Sequence, residues 1–261
     1  MMGRTHALTG WCAGLAVAPL AGVSSLAQAL VFAATTAGYA LLPDLDHPNA
    51  RASRLLGPLT GMLSRMLRAT SSAVYSVTKG PRDEDGAGTH RHLSHTVLFA
   101  VLVGLAVGFG TEAGGPWVVA GVVIVGLLLA ENALGDWLLP LTGGAAIWWA
   151  WEVSPHALTE LAAMGGLLGL AVALGCVTHC LGDALTESGC PFLFPLPIAG
   201  ETWYELRPPA LLRFRTGRTF ENKVLFPAFS VLAVLLIPGV WTMFADLLSG
   251  LTPPQTPTAT Q

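Results

Sequence analysis

VLFAVLVGLAVGFG, residues 97–110, and WVVAGVVIVGLLLA, residues 117–130, contain no charged side chain, and only TEAGGP (111–116) separates them. A helix crosses a bilayer with roughly 20 predominantly apolar residues, tolerating about 17, and these two runs with their flanks meet that length. Gly114-Gly115-Pro116 marks a tight turn between them. The rest of the chain has the same character. Of its 261 residues, 52% are hydrophobic and 11% charged, with a mean hydropathy of +0.60. A soluble domain carries about 25% charged residues. Four cysteines are too sparse for a disulfide scaffold. A net charge of −3 and a pI of about 6.1 argue against a nucleic-acid partner, which needs a basic surface. The expected class is an all-α polytopic integral membrane bundle: a single membrane-embedded domain over residues 1–251, followed by a disordered tail at 252–261.

Working outward, the nearly uncharged first 42 residues split near Gly22–Ser25 into spans at 7–21 and 26–42. Arg4 and Ala27-Gln28-Ala29 loosely imitate a signal peptide, but the apolar run continues past them to Leu42, so it is read as membrane. Further spans are expected at 158–177 and 224–247. The stretch 133–151 is ambiguous. It holds Asp136, Pro140 and Gly143-Gly144, but also Trp137, Trp148, Trp149 and Trp151, which suit a membrane interface.

Charge placement resolves the ambiguity. All 13 Lys and Arg fall at Arg4, within 51–91, or within 207–223. Basic residues mark the cytoplasmic side, so these three regions share it. For 158–177 to deliver the 207–223 segment to that side, 133–151 must also cross. The count becomes seven spans in a bacterial inner membrane, with the N-terminus cytoplasmic and the C-terminus outside. A polar cytoplasmic insert, 43–96, joins spans two and three. Within it Leu55, Leu59, Met62, Leu63, Met66 and Leu67 recur at helical spacing among Arg51, Arg54, Arg65 and Arg68. Such a basic amphipathic helix either lies in the headgroup layer or packs on the other loops.

Six of the seven histidines then lie at the cytoplasmic face: His6, His47, His90, His92, His95 and His179; only His156 falls opposite. Asp44, Asp46 and Asp183 accompany them. His179-x-x-x-Asp183 places an imidazole and a carboxylate on one helix face, where both can reach one metal ion. Pro43-Asp-Leu-Asp-His-Pro48 holds three ligand-type residues between stiffening prolines. His90-Arg-His-Leu-Ser-His95 supplies three more histidines before the third span. Ionisable groups beside lipid are costly unless paired or metal-bound, so their convergence points to a divalent metal site of one or two ions. Zinc is the expected metal and manganese the alternative. Cys180 is a minor candidate ligand, and Glu131 and Asp136 are candidates for a supporting role. Ser94 and Ser188 lack a nucleophile-elbow pattern.

Thr5-His6, Leu41-Leu-Pro-Asp-Leu-Asp-His-Pro48, His90-Arg-His-Leu-Ser-His-Thr96 and His179-Cys-Leu-Gly-Asp-Ala-Leu-Thr186, in this order, resemble the bacterial inner-membrane metal-dependent hydrolases. That group is the YdjM-like family, also called LexA-binding, and the similarity covers about residues 3–245. It implicates His6, Asp44, Asp46, His47, His90, Arg91, His95, His179 and Asp183. His92 stands at a position the family motif leaves open. Gly217-Arg-Thr-Phe-Glu221 also looks like a family element and adds Glu221 as a catalytic candidate. The long insert between Asp46 and His90 departs from relatives with shorter loops.

The resulting expectation is a metal-dependent hydrolase at the cytoplasmic membrane face, acting on phosphate esters or phospholipids. His6, Asp44, Asp46, His47, His90, His95, His179 and Asp183 form its ligand pool. A carboxylate that is not a ligand, Asp44 or Asp46, would act as base. Arg91, with Arg213, Arg215 or Arg218, would fork onto phosphate oxygens. The rival is a transporter or metal-handling protein using the same cluster, for which the interrupted stretch around Asp136 and Pro140 is the best support. A third reading is a scaffold that binds a soluble partner through residues 48–88.

Overall fold

The computed structural model describes residues 1–138, 140, 142–144, 147, 151 and 157–250. Its helices, in chain order, are α1 (Gly3–Val17), α2 (Leu26–Tyr39), α3 (Pro58–Thr78), α4 (Val97–Leu134), α5 (Ala157–Ala162), α6 (Gly165–Ala184), α7 (Phe226–Leu235) and α8 (Val240–Gly250). Short 3-10 turns lie at Pro43–Asp46, Ala52–Arg54, Leu93–His95 and Ala210–Leu212, and a π-helical turn at Glu221–Leu225 leads into α7. The described residues form no strand, only isolated bridges such as Cys190–Leu206. The fold is all-helical.

The expected first hairpin is present. Gly22 takes φ 80°, which a side chain would disfavour, and Ser25 caps α2 by accepting from the Gln28 amide at 3.1 Å. Among the described residues three segments are long and apolar enough to cross a membrane: Leu26–Asp46, Val97–Leu134 and Gly165–Ala184. α1, with 15 residues, is shorter than these and packs along α2.

α4 has 38 residues, nearly twice the length needed to cross the apolar core of a bilayer. It is broken where the sequence places its turn: Gly115 has φ 68° and ψ −164°. The packing on either side shows the chain doubling back. Before the break, Thr111 Oγ1 donates to the Gly165 carbonyl at 2.6 Å. Gly104 lies so close to α6 that an added Cβ would sit 2.8 Å from the Gly169 carbonyl oxygen. After the break, Val119 packs with Phe32, Met164 and Leu168, while Leu129 packs with Ala7 and Leu41. The first arm therefore runs antiparallel to α6, and the second returns along α2. Gly38 and Gly126 permit that return, since a Cβ on Gly38 would fall 1.9 Å from the Gly126 carbonyl oxygen. Small residues let helix backbones approach where lipid supplies no hydrophobic drive for association.

Two expected spans end differently. The 158–177 span becomes a short α5, a break, and then α6, which carries His179 and Asp183 within the helix. The single span expected at 224–247 is bent. Pro238 lacks an amide hydrogen and Gly239 takes φ 88°, and the segments Glu221–Leu235 and Val240–Leu247 meet at 81°. The expected span at 133–151 falls in part outside the described residues, as do His156 and the tail at 252–261.

The bundle consequently has two ends. One holds Ala18, Val23, Phe32, Val119 and Met164 in an apolar cluster. The other gathers the start of α1, the turn after α2, the turn before α4 and the end of α6.

Candidate metal centre

Each chemical residue reaches that second end for a local reason. Pro43 opens a 3-10 turn directly after α2, which holds Asp44 and Asp46 at the mouth of the bundle. The turn Leu93–His95 precedes α4, whose start is capped by Thr96 accepting from the Phe99 amide at 3.1 Å. α6 supplies His179 and Asp183 four residues apart, and the first turn of α1 supplies His6.

The ring orientations decide what the cluster can do. His179 Nδ1 lies 2.7 Å from the Ala40 carbonyl oxygen, an acceptor only, so Nδ1 carries the hydrogen and Nε2 keeps a lone pair. His95 Nδ1 lies 3.4 Å from Asp46 Oδ2 and 3.1 Å from Ser94 Oγ. Ser94 Oγ in turn donates to Asp46 Oδ2 at 2.7 Å. This arrangement assigns the His95 hydrogen to Nδ1 as well. The two Nε2 atoms then face each other at 3.2 Å. Two lone pairs at that distance repel unless a cation, either a proton on His95 Nε2 or a metal ion in its place, sits between them. Two nitrogens of one tetrahedral zinc, each bonded at about 2.0–2.1 Å, stand about 3.3 Å apart.

His6 adds a second observation. It is fully buried, its ring stacks on His179 with centroids 3.8 Å apart, and neither of its nitrogens has a hydrogen-bond partner among the described residues. Its Nε2 stands 3.3 Å from Asp183 Oδ1, outside hydrogen-bond geometry. An imidazole buried without a partner costs free energy unless something else meets it. Gly182 makes room for that ring, since a Cβ there would lie 3.3 Å from His6 Cε1.

Asp183 is the shared anion. Its Oδ2 lies 3.1 Å from Arg91 Nη2, 3.5 Å from His95 Nε2 and 3.6 Å from His179 Nε2. Its Oδ1 also accepts from the Met1 amino group. Asp44 Oδ1 stands 3.8 Å from His179 Nε2, and its side chain is 26% exposed. Two overlapping ligand triplets result: His6, His179 and Asp183; and Asp44, His95 and His179. Burial disfavours a charged His95, yet the Asp46 and Asp183 carboxylates outweigh it and raise its pKa to about 9. An electrostatic field that holds a proton this strongly also favours a metal cation.

The other expected residues occupy different positions. Asp46 is fully buried, and its carboxylate is taken by His90 Nδ1 at 2.6 Å, the Arg91 amide at 3.0 Å, Ser94 and His95. It belongs to neither triplet and orients His95 and His90. His90 therefore has one nitrogen committed to Asp46. His47 Nδ1 accepts from the Asn49 amide at 3.1 Å, and its ring meets His90 edge-on. His92 turns away toward Tyr75 and Trp203.

Glu221 is fully buried, but both of its oxygens are occupied. The Met2 amide donates to one at 2.6 Å and the Gly217 amide to the other at 2.7 Å. That arrangement ties the start of α1 to the loop before α7. Cys180 packs with Ala184 and Cys190. Glu131 and Asp136 line a separate cavity of about 280 Å³ with Arg51 and Arg54. Arg215 pairs with Glu187, and Arg213 donates to the Pro208 carbonyl.

Arg91 is the arginine that reaches the centre. It takes φ 55°, uncommon for a residue with a side chain, and its guanidinium also approaches Thr186 and the Gly189 carbonyl. No side-chain pattern signals the Ala40 carbonyl, which is backbone. Ser94, weighed only as a nucleophile, is instead a donor to Asp46.

A family model for the YdjM inner membrane protein matches residues 1–246. The chain belongs to that family. The resemblance carried by the His and Asp motifs is thus shown for nearly the whole chain. No curated protein and no solved structure matches it. For this YdjM family member, then, the chemistry is argued from the site. The residues present suit a divalent cation that accepts nitrogen and oxygen ligands.

Proposed function

We propose that this protein is a metal-dependent hydrolase of phosphate esters, with membrane phospholipids as the leading substrate class. The observation that carries the reading is the pair of inward-facing Nε2 atoms on His95 and His179, beside the buried His6 nitrogens that have no hydrogen-bond partner among the described residues. His6, His179 and Asp183 would hold an ion, and Asp44 with His95 and His179 would complete it or hold a second. Zinc suits the nitrogen-rich set, and manganese is the alternative. Bound there, a divalent ion would supply Lewis acidity and bring the pKa of water to about 7.

The chain's own residues provide the rest. The Arg91 side chain is anchored on Asp183 by Nη2 and is 21% exposed, which leaves N–H groups to fork onto a phosphate oxygen. If His6, His179 and Asp183 hold the ion, Asp44 is left free at the mouth, partly exposed, and would accept the proton of the attacking water. Asp46 and Ser94 hold His95 in one tautomer, as carboxylate partners of ligating histidines do.

The orientation inferred here is supported by the two ends of the bundle. Arg4 donates to Asn222 at 2.8 Å and Arg51 to the Asn132 carbonyl at 2.8 Å, so widely separated basic segments share the end with the metal centre. By the positive-inside rule that end faces the cytoplasm. Leu134 lies at this end with Ala7 and Leu41, whereas Met164 lies at the other with Phe32. A crossing by the chain between them, as expected from the sequence, would give seven passes. A centre at one end of the bundle suits surface chemistry better than transport, whose sites lie near the midplane.

The test is metal content per chain and hydrolysis of a phosphodiester and of phospholipids in lipid discs, for wild type, His179→Ala and Asp183→Ala. One or two ions per wild-type chain, lost with activity in both variants, is the expected result. A folded wild type that takes up no zinc or manganese, or a loaded one that cleaves none of these esters, would overturn the reading.

A further inference from the structure

α3 is amphipathic in the reverse of the usual sense. Its buried positions are Thr60, Ser64, Ser71 and Tyr75, small or hydroxyl-bearing side chains at helical spacing. Its outward positions include the large apolar side chains Leu59, Met62, Leu63, Met66 and Val77, between 43% and 84% exposed, with Arg65 and Thr70 among them. A helix on a water-facing surface turns its apolar stripe toward the core and its polar stripe outward. This one shows the opposite, so its outward face is matched to an apolar surrounding.

Position and charge identify that surrounding. α3 packs against the turn Pro43–Asp46, directly beyond α2, and against the turn Leu93–His95, directly before α4. Both turns stand where apolar segments leave or enter the bundle, so α3 lies at the level of the lipid headgroups. Arg65 and Arg68 lie on α3 among these apolar side chains, Arg51 and Arg54 lie just before the helix, and no carboxylate occurs between Asp46 and Asp83 in the chain. An apolar stripe on a helix whose charged side chains are all arginines complements an anionic leaflet: acyl chains against the stripe and headgroup phosphates against the guanidiniums.

The same helix is tied to the metal centre. Ser71 Oγ donates to the Gly88 carbonyl at 2.6 Å and accepts from the Leu93 amide at 3.2 Å, bracketing the loop that carries His90, Arg91 and His92. Gly88 is packed so tightly on Tyr75 that a Cβ would lie 2.3 Å from the tyrosine Cβ. The depth at which α3 sits in lipid therefore fixes the position of the histidine loop.

We propose that α3 is an in-plane helix embedded in the cytoplasmic leaflet, with its methionine–leucine stripe in the acyl region and its arginines on anionic lipid headgroups. It serves as the wall that seats the histidine loop at the membrane surface. The inference stands whether or not the centre is hydrolytic.

Thiol labelling tests it, because Cys12, Cys176, Cys180 and Cys190 are all buried. Full-length Met66→Cys and Met62→Cys proteins carry an environment-sensitive fluorophore in lipid discs, with Asp85→Cys, a fully exposed loop position, as reference. The discs contain brominated acyl chains, and iodide is added as the aqueous quencher. The expected result is brominated-lipid quenching at Met66 and Met62 at least about twofold above that at Asp85, and the reverse order with iodide. Quenching should deepen when phosphatidylglycerol replaces part of the phosphatidylcholine, and Arg54→Gln/Arg65→Gln should remove that increment. Iodide access at Met66 equal to that at Asp85 would overturn the proposal. So would a Met66 probe shielded from both quenchers, because a protein partner or second copy would then cover the stripe. Quenching indifferent to anionic lipid would overturn the assignment of the arginines.

Discussion

Asp46→Asn separates an orienting carboxylate from a ligating one, because it keeps the shape of the side chain and removes its charge. In the native protein four donors converge on this carboxylate: His90 Nδ1, the Arg91 amide, Ser94 Oγ and His95 Nδ1. Three of them crowd Oδ2 and His90 holds Oδ1, and neither ligand triplet includes this carboxylate. Its effect on metal binding must therefore pass through His95, whose Nε2 it directs at His179 Nε2. Loss of such an outer partner costs about 10–100-fold in metal affinity, or about 1.4–2.7 kcal/mol. Loss of a ligand such as Asp183 or His179 should abolish binding in the same assay.

The substituted amide has an NH2 group where at least one of the four donors now points, since His90 meets Oδ1 and the other three meet Oδ2, so folding suffers as well. A hydrogen bond to a charged group contributes about 1.5–3 kcal/mol, and a loss near the middle of that range is expected in a detergent thermal melt. Ser94→Ala, which removes one donor and leaves the carboxylate, should cost about 1 kcal/mol of stability and a smaller part of the affinity. Affinity is read by competition with a chromogenic zinc chelator, and folding by the melt and by elution as a single species. Were Asp46→Asn to lose metal as completely as Asp183→Ala while staying folded, Asp46 would be a ligand and the assignment of roles here would be wrong. If its affinity equalled that of wild type, the Asp46–His95 contact would have no part in metal binding.

Three further outcomes follow from the same geometry. Arg91→Lys should retain metal but lose about 10²–10³ in kcat/KM on phosphate esters, because an ammonium cannot hold Asp183 and fork onto a phosphate together; steady-state kinetics with a metal assay on the same sample checks this. Glu221→Gln should lower thermal stability by about 1.5–3 kcal/mol, since one of the two amides now donating to its oxygens would meet an NH2 group, while metal content per chain stays at the wild-type value. Gly38→Ala should destabilise the bundle by about 1–3 kcal/mol or prevent assembly, because its methyl would fall on the Gly126 carbonyl; yield and melting temperature in detergent report it.

The membrane class and the common location of the centre were legible because both depend on residue types and their order along the chain. Uncharged runs, the Gly114-Gly115-Pro116 break and the confinement of Lys and Arg to three segments predict a hairpinned bundle with a basic end. The break at Gly115 and the crossing of Arg4 with Asn222 agree with that reading. The bend after α7 was missed although Pro238-Gly239 was in plain view, because the apolar run continues through it and hydropathy is blind to backbone geometry.

Roles within the centre were far less legible, and the reason is physical. Asp44, Asp46 and Asp183 look equivalent as carboxylates beside histidines. What separates them is the set of backbone groups that folding brings near each one. The Arg91 amide reaches Asp46 from 45 residues away, and it fills a lone pair that a metal would otherwise use. The Ala40 carbonyl meets His179 across 139 residues and fixes which nitrogen of that ring points inward. Glu221 is removed from the chemistry by two amides, those of Met2 and Gly217. Backbone donors and acceptors are the same at every position, so no pattern of side chains announces them. A sequence can therefore nominate a pool of ligands at one end of a bundle, whereas the division into ligating, orienting and bracing residues is written in contacts between distant main-chain and side-chain atoms. Asp46→Asn probes that division directly, because it changes one charge and leaves every residue of both triplets in place.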